Sequence, residues 1–375
     1  MVMSSQEIRR VVFGKVPMLF VADDKFPITD DQIQAASFDF RLGRSAHRMR
    51  SAALPHEESV ADLIAKYRKF DFELDDRQGK YLEAGDTYII PLLEGCSLPS
   101  GVGLEFTPKS STGRVDVFCR VLADNVSHYD LLPAGYHGLL YLEVTPLSHD
   151  VKVQAGLSLV QGRFKTSGSM QLSGQEIERL HMQEGILFGA DGQPLQPKDL
   201  RIVNDELYYH IDLAREVVGF VSKATTSPIN MNLTNTYEPD DFWEPIRRPK
   251  DGQLVLLPGK FYLLATREKT RIPASVCGQV QAFKITTGEM RPHYAGFFDN
   301  GFGGETGTNG VLEVRSRDVP FRLVDGQPIC AMIFERTSEI PDKLYKGNYT
   351  QSGPSLSKHF TSRYEAWTLD YWRSR

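Results

Sequence analysis

The amino-acid sequence is poor in cysteine and has no long hydrophobic run. Its four cysteines, Cys96, Cys119, Cys277 and Cys330, lie far apart in a chain of 375 residues and form no C-x-x-C pair. Such sparse cysteines are typical of a reducing compartment and argue against a disulfide scaffold or a structural zinc site, so we expect a cytoplasmic protein. No apolar stretch approaches the roughly 20 residues that a transmembrane helix needs, and the first residues lack the apolar segment of a secretory signal. We therefore expect no membrane partner.

The chain also lacks an excess of positive charge. It has 43 Lys and Arg residues against 48 Asp and Glu residues, a formal net charge of −5. Proteins that bind nucleic-acid polymers normally carry a strong basic excess, so we expect no such partner. An anionic ligand would have to be small and held by a local cluster of cations.

An internal repeat is the most informative feature that is present. Matching segments recur in the same order, at separations between 169 positions (Ser4 to Ser173) and 174 positions (Gly85 to Gly259). The matched pairs are SSQEIRR (4–10) with SGQEIERL (173–180), SFDFRLG (37–43) with HIDLARE (210–216), 81–102 with 255–276, YLEV (141–144) with VLEV (311–314), and 154–164 with 324–334. We predict two copies of one domain, residues 1–170 and 171–375, joined by the Ser/Gly-rich stretch 165–174. The alternative is one large β-rich domain with recurring turn sequences.

Most of each copy has the pattern of short β-strands. Runs of four to seven apolar or β-branched residues, such as TYIIPLL (87–93), alternate with Gly, Pro, Asp and Asn. Helical signals are few: capped starts at Ser4 and Ser173, and the stretch 57–70. We therefore predict a mainly β fold, a sandwich or jelly-roll-like barrel in each copy, with a few short helices. The Gly-, Ser-, Tyr- and Lys-rich tail, 340–375, is expected to form a loop or lid.

The two copies differ where chemistry would be expected. The first carries PKSSTGR (108–114), and the aligned stretch of the second, AFKITTGE (282–289), lacks the Ser-Ser pair and the final arginine. Hydroxyls, exposed backbone N–H groups and two cations together suit a phosphate group. The alternative is a solvated turn, because Ser, Thr and Gly also favour turns.

The second copy carries a glycine-rich segment, 293–316, which contains Asp299 and runs into a strand-like VLEV with Glu313. This glutamate is either solvated or held in a pocket, where burial would raise its pKa and allow it to move protons near neutral pH. The first copy keeps a glutamate at the matching position, Glu143, but has no aspartate that aligns with Asp299. The phosphate motif is therefore strong in the first copy and the Asp/Glu motif in the second.

In combination, SFDFRLG (37–43), KSSTGR (109–114), FDNGFGG (298–304), GVLEV (310–314) and the tail YKGNYTQSGPSLS (345–357) resemble the dCTP deaminase family. The resemblance covers nearly the whole chain, twice over, and implies tandem dUTPase-like β-barrels of a fold that forms trimers. It also implies hydrolytic deamination of dCTP to dUTP and ammonia without zinc, supplying dUTP for thymidylate synthesis. The zinc-dependent route to this reaction has an H-x-E and P-C-x-x-C signature, and the sequence lacks the P-C-x-x-C part.

The resemblance implies a set of site residues. Glu313 would transfer protons, with Ser110 and Arg114 as the other catalytic groups. Substrate-binding residues would be Lys109, Ser111, Thr112, Gly113, Asp299, Phe302, Val311, Leu312, Tyr345, Lys346 and Gln351. Lys109 and Phe302 stand where the family has arginine and tryptophan, and the stretch 305–309 is an insertion. Magnesium is expected only as the counter-ion of the triphosphate, and no metal is expected to be bound by the protein itself.

Because family trimers build each site between subunits, we predict a composite site within this chain. The first copy's KSSTGR would face Asp299 and Glu313 of the second, and the opposite pairing, 282–289 with Glu143, would be vestigial. A homo-oligomer with a three-fold arrangement of domains is expected.

The alternative functions are a dUTP diphosphatase, a bifunctional enzyme that catalyses both steps, and a non-catalytic regulatory protein that binds nucleotides. Further candidate ligands are dUTP and dTTP.

Overall fold

The computed structural model describes residues 1–168, 171–281, 290–292, 296–347, 349 and 353–361. The helices in these ranges are α1 (Ser5–Phe13), α2 (Val60–Tyr67), α3 (Ser110–Gly113) and α4 (Gly174–Glu184), with 3₁₀ turns at Asp30–Gln32, Pro197–Asp199 and Pro239–Asp241. Strands of the first half are β1 (Leu19–Val21), β2 (Phe38–Arg41), β3 (Ser45–Met49), β4 (Arg68–Glu73), β5 (Lys80–Leu82), β6 (Tyr88–Pro91), β7 (Glu94–Ser97), β8 (Val102–Pro108), β9 (Val117–Ala123), β10 (Leu131–Leu132), β11 (His137–Gly138), β12 (Leu140–Pro146), β13 (Val151–Val153) and β14 (Ser158–Thr166). Those of the second half are β15 (Leu187–Phe188), β16 (Ile202–Val203), β17 (Glu206–His210), β18 (Val217–Ser222), β19 (Ile229–Asn230), β20 (Trp243–Arg247), β21 (Gln253–Leu256), β22 (Phe261–Thr270), β23 (Val276–Gln281), β24 (Met290–Pro292), β25 (Phe297–Phe298), β26 (Thr308–Ser316), β27 (Phe321–Val324) and β28 (Pro328–Arg336). The prediction of a mainly β fold with a few short helices is confirmed.

The main sheets of the two halves have matching strand orders. In the first half the orders are β10-β8-β14-β2 and β4-β3-β6-β12-β9. In the second half they are β25-β23-β28-β17-β16 and β20-β18-β22-β26-β24. Each strand of the first half's sheets thus has a counterpart at the same place in the second. The correspondence supports the proposal that the chain contains two copies of one domain.

Each half has an apolar core, and the core of the first half also includes residues of the second. Phe40, Phe164 and Leu142, from the two main sheets of the first half, belong to one core together with Leu263 of the second half. Leu207, Phe334 and Leu264 belong to the other core. Alternation of inward and outward side chains along antiparallel strands produces this arrangement, and the burial of apolar area, about 25 cal/mol per Å², supplies most of its stability.

Both predicted helix caps are present. Ser4 accepts a hydrogen bond from the Glu7 N–H at 3.3 Å, and Ser173 accepts one from the Glu176 N–H at 3.4 Å. The helix predicted within 57–70 is shorter than expected. It is α2, capped by Ser59, and the chain enters β4 at Arg68 because pairing with β3 replaces the helical hydrogen bonds there. No helix in the described ranges is both long enough and apolar enough to cross a membrane.

The segment that follows β28 is tied to the first half. Gln6 donates to the Ile340 carbonyl at 2.8 Å, Arg9 contacts Asp342 at 2.8 Å, and Lys343 contacts Asp30 at 2.6 Å. Through these contacts residues 340–343, the start of the predicted lid, lie against the first half.

Candidate active site

A cavity of about 490 Å³ lies between the two halves and is lined by both of them. Among its lining residues are Lys109, Ser110, Ser111 and Arg114 from the first half, and Asp299, Phe302, Val311, Glu313, Tyr345 and Lys346 from the second. The structure therefore brings the two motifs together within one chain. The volume of the cavity is in the range of small-molecule binding sites.

One wall of the cavity is the single helical turn α3. Lys109 precedes it with extended backbone, and its carbonyl accepts hydrogen bonds from the N–H groups of Thr112 (2.8 Å) and Gly113 (3.0 Å). This turn presents Ser110 and Ser111 to the cavity. Thr112, in contrast, is fully buried and donates to the Leu159 carbonyl at 3.0 Å. The Thr112 side chain therefore lies outside the cavity, because a helical turn cannot direct three successive side chains to one face. The role of Thr112 in binding substrate stays a prediction.

The facing wall is β26. Side chains alternate along a strand, so Val311 and Glu313 share one face and both line the cavity. Leu312 points to the other face and packs in the core of the second half. Its side chain therefore lies outside the cavity, and the role of Leu312 in binding substrate stays a prediction. The Glu313 side chain is buried, with 2% of its residue surface exposed.

The two walls touch at Gly113 and Glu313. A Cβ atom added to Gly113 would lie 2.8 Å from Oε1 of Glu313, which is closer than a real Cβ contact allows. A side chain at position 113 would therefore require the Glu313 carboxylate or the turn to shift. The carboxylate is thus held directly against the turn that carries the two serines and Arg114.

Two acid–base pairs lie at the cavity, where Asp39, Lys109 and Asp299 are among the lining residues. Lys109 contacts Asp39, and Arg163 donates to Oδ1 of Asp299 at 2.9 Å. Burial raises the pKa of Asp39, and the Lys109 ammonium opposes that shift. Arg163 has no exposed side-chain surface and also donates to the carbonyls of Gly278 (2.9 Å) and Phe298 (3.1 Å), which joins the halves.

Residues 349 and 353–358 form a roof over α3. The Arg114 guanidinium lies 3.7 Å from the centroid of the Tyr349 ring and donates to the Ser355 carbonyl at 3.1 Å. Ser357 donates to the Ser111 carbonyl at 2.9 Å. Lys358 lines the cavity, and burial followed by the nearby Lys109 charge lowers its pKa.

An aromatic cluster closes the remaining side. Phe302 packs edge-on against Phe298 and Tyr345, at centroid distances of 4.9 and 5.1 Å. Burial raises the pKa of Tyr345 to about 12, so its hydroxyl stays protonated near neutral pH. Lys346 lies exposed at the rim. Gln351 and the stretch 282–289 fall outside the described residues.

The predicted insertion, 305–309, anchors the roof. Its last residue, Asn309, lies in β26 and donates to the Thr266 carbonyl at 2.8 Å. The same side chain accepts a hydrogen bond from the Gly353 N–H at 2.9 Å. The glycines before it make the necessary turn. Gly303 has a φ of 87°, and a Cβ there would lie 2.1 Å from the Thr270 carbonyl oxygen.

Sequence reasoning missed two side chains that line the cavity, Asp39 and Lys358, and it missed Arg163, which donates to the cavity-lining Asp299. Asp39 stood in a repeated motif, a signal that could have identified it. Arg163 lies in a strand, and Lys358 lies in the tail beyond the recognised motif, so neither carried a local signal.

Glu143, the first-half counterpart of Glu313, is not among the residues that line the cavity. Its Oε2 accepts a hydrogen bond from the Ala53 N–H at 3.1 Å, and an apolar cluster that includes Val60 and Leu63 of α2 lies beside it. Burial raises the pKa of Glu143 to about 7. The segment between β3 and β4 thus covers this carboxylate.

The corresponding segment of the second half, between β18 and β20, leaves its own sheet. Its β19 pairs with β13 of the first half, and Met231 and Phe242 pack in the first half's core. Glu313 is consequently left facing the cavity. This difference between two equivalent connections explains why only the second-half carboxylate lines the cavity.

Replacing Glu143 with Gln is expected to stabilise the protein at high pH. A folded-state pKa raised from 4.5 to about 7 means that stability present below pH 4.5 is lost as the pH rises through 7. At about 1.4 kcal/mol for each pKa unit, ionising the buried group costs about 3 kcal/mol. Urea unfolding should show a variant that gains stability relative to the parent between pH 5 and pH 8. The exposed Glu73→Gln variant serves as the control, and a pH-independent difference for Glu143→Gln would contradict the interpretation.

The fold and the site define a class, a β-rich protein with a composite pocket that is lined by cations, hydroxyls and a buried carboxylate. Models for the N-terminal and C-terminal domains of 2′-deoxycytidine 5′-triphosphate deaminase match residues 2–168 and 173–360. The crystal structure of the 2′-deoxycytidine 5′-triphosphate deaminase from Agrobacterium tumefaciens is similar, with a TM-score of 0.80 and 35% identity, over 91% of this chain and 99% of that one.

Two curated relatives show weaker similarity. One from Persephonella marina, called dCTP deaminase, dUMP-forming, is 26% identical over 191 residues, which are 50% of this chain and 94% of the relative. A dCTP deaminase from Haemophilus ducreyi is 26% identical over 121 residues, 31% of this chain and 59% of that protein. The chain therefore belongs to the 2′-deoxycytidine 5′-triphosphate deaminase family. The family predicted from the motifs, and the prediction that the protein is an enzyme, are confirmed.

Proposed function

We propose that the protein hydrolyses dCTP to dUTP and ammonia, with one active site in the cavity between its halves. The observation that carries the proposal is the position of Glu313, buried in the cavity and in contact range of the turn with Ser110, Ser111 and Arg114. Family membership supplies the substrate class. An ammonia-release assay with dCTP, compared with dCMP, CTP and dUTP, tests it directly, and the absence of ammonia would favour the regulatory alternative.

The reaction requires that water attack C4 of cytosine and that the amino group leave as ammonia. Glu313 would take one proton from the attacking water and deliver it to N3. It would then take the remaining proton from the C4 hydroxyl of the tetrahedral intermediate and deliver it to the amino group, so that the C4–N bond breaks, ammonia leaves and the C4 carbonyl forms. Ser110 and Arg114 would orient the water and stabilise the charge that develops on the tetrahedral intermediate. The tail would limit water access to the site, since Tyr349 and Ser355 contact Arg114.

We propose that the triphosphate lies against α3. Lys109, Lys358 and Arg114 place three cations along this side of the cavity, and the turn adds hydroxyls. Asp299, held by Arg163 and Ser37, would contact the sugar, and Phe302 and Val311 would contact the sugar and base. The magnesium ion would arrive with the triphosphate as part of the substrate.

We propose that no zinc takes part, since a carboxylate, a hydroxyl and a guanidinium can supply the proton transfer and charge stabilisation. Preincubation with 1,10-phenanthroline followed by assay in magnesium should leave the rate of ammonia release unchanged. A loss of activity that zinc restores would overturn this part of the proposal.

A bifunctional enzyme is the second candidate, because the relative from Persephonella marina carries a name that specifies dUMP. Release of pyrophosphate along with ammonia from dCTP would support it. Ammonia without pyrophosphate, with dUTP as the product, would support the simple deaminase.

The three-fold homo-oligomer stays a prediction, which the mass of the particle in solution tests.

Replacing Lys358 with Met is expected to weaken substrate binding. The ammonium lies in the cavity beside Lys109, so its loss removes a charge-assisted contact to the triphosphate, which raises KM for dCTP by about tenfold. The value of kcat should change much less, because Lys358 is not proposed to contact the reacting ring. Lys66→Met, on α2 and paired with Glu58, is the control. An unchanged KM would remove Lys358 from the binding site.

A further inference from the structure

A second contact between the halves lies beside the proposed active site. Arg315 is two residues beyond Glu313 on β26, and Asp116 is two residues beyond Arg114 after α3. The Arg315 Nε donates to Oδ1 of Asp116 at 3.0 Å, and its Nη2 contacts Oδ2 of the same carboxylate. The guanidinium and the carboxylate thus meet in a two-point contact, which fixes orientation as well as distance.

Asp116 is fixed firmly in place. Its side chain has no exposed surface, and Ser148 also donates to its carboxylate. Its backbone N–H donates to the Gly113 carbonyl at 2.9 Å, and its carbonyl accepts from the Leu147 N–H at 3.0 Å. The residue adopts a φ of 61°, a left-handed conformation that is unusual for a residue other than glycine.

The contact between Asp116 and Arg315 has no equivalent on the strand that carries Glu143. In the repeat, VLEV (311–314) matches YLEV (141–144), so the first-half counterpart of Arg315 is Thr145. Thr145 forms a hydrogen bond of 3.0 Å with Thr87 inside its own sheet. The copy whose glutamate is covered therefore has no guanidinium at this place, and the copy whose glutamate faces the cavity has one.

We infer that Asp116 and Arg315 are positioning residues. They fix the position of the turn with Ser110, Ser111 and Arg114 along β26, relative to Glu313. The inference rests on the proposed function. The ion pair joins the segment after α3, through Asp116, to β26, the strand that carries Glu313, through Arg315. A shift of the turn along β26 would leave each wall intact but would misalign the attacking water with the carboxylate, which can cost about a hundredfold in rate.

The test uses the full-length protein and the variants Arg315→Met, Asp116→Gly and the double variant. Glycine keeps the left-handed conformation at position 116, so only the carboxylate is lost. Each single variant removes one side of the ion pair, and both should unfold at lower temperature than the parent. In the double variant both charges of the pair are removed, so its midpoint of thermal unfolding should return towards the parent value. Its kcat for ammonia release should stay at least about tenfold below the parent, with a smaller change in KM.

The matched control is the pair Arg120 and Asp130, which lies within the first half and in which Asp130 also has a positive φ, of 63°. Its double variant, Arg120→Met with Asp130→Gly, should keep the parent kcat. A kcat of Arg315→Met/Asp116→Gly that recovers along with stability would overturn the positioning role and leave the deaminase proposal intact. If the parent protein releases no ammonia from dCTP, the proposed function itself fails.

Discussion

Replacing Glu313 with Gln is expected to lower kcat for ammonia release from dCTP by about a thousandfold or more, because an amide cannot take a proton from water. The side chain is nearly the same size, and the carboxylate is buried against α3, so the fold should tolerate the change. Binding of dCTP, measured by calorimetry, should change by less than about tenfold, since the triphosphate cradle is intact. Steady-state rates together with calorimetry separate the two effects.

The matched control is Glu143→Gln at the equivalent position of the first half. Glu143 lies outside the cavity and is covered by the segment before α2, so most of the activity should remain. Equal losses from both variants would contradict the composite site and would indicate two sites that depend on both glutamates.

Replacing Gly113 with Ala is expected to lower kcat by about a hundredfold, through a single added methyl group. The new Cβ would meet Oε1 of Glu313 at 2.8 Å and force the carboxylate or the turn to move. The backbone of α3 is helical at this position, so alanine adds no conformational strain of its own. The rate of ammonia release and the thermal unfolding midpoint should be measured together.

Gly101→Ala is the control for this variant, because a Cβ at position 101 would meet its nearest neighbour, the Ser167 hydroxyl, at an ordinary 3.6 Å. It should keep the parent activity. An active Gly113→Ala enzyme would show that α3 and Glu313 do not have to lie in contact during catalysis.

The sequence is sufficient to predict the mainly β class, and the matching strand orders support the predicted duplication. Repeated motifs such as YLEV and VLEV fall on β12 and β26, which occupy equivalent places in sheets of matching order. The strands can be predicted from the sequence because the alternation of apolar and polar residues that marks them is a short-range pattern. The meeting of KSSTGR with Glu313 was also predictable, but only through the family resemblance and the complementary losses of the two copies.

Other features of the site depend on contacts that no local pattern encodes. The side chains of Thr112 and Leu312 lie in motifs but point away from the cavity, because a helical turn and a strand each present only some of their residues to one face. Lys358 reaches the cavity only because the tail folds back over α3. Its role depends on a fold-back across most of the chain, which sequence spacing does not reveal.

The difference between the two glutamates also has a long-range cause. The β3–β4 connection covers Glu143, whereas the β18–β20 connection crosses to the first half and places β19 beside β13. Both connections are polar with scattered apolar residues. Whether such a segment packs on its own sheet or on the other half depends on the complete three-dimensional surface.

The most direct test of the central claim is a mixing experiment with two inactive variants. Arg114→Met and Glu313→Gln chains, with different affinity tags, would be produced together and purified through both tags, alongside tagged parent chains treated identically. If one chain supplies both the cradle and the acid to each site, every site in the mixture lacks one of them, and ammonia release should stay at the level of the single variants. Recovery of a substantial fraction of the parent rate would mean that the site forms between chains, and it would contradict the account.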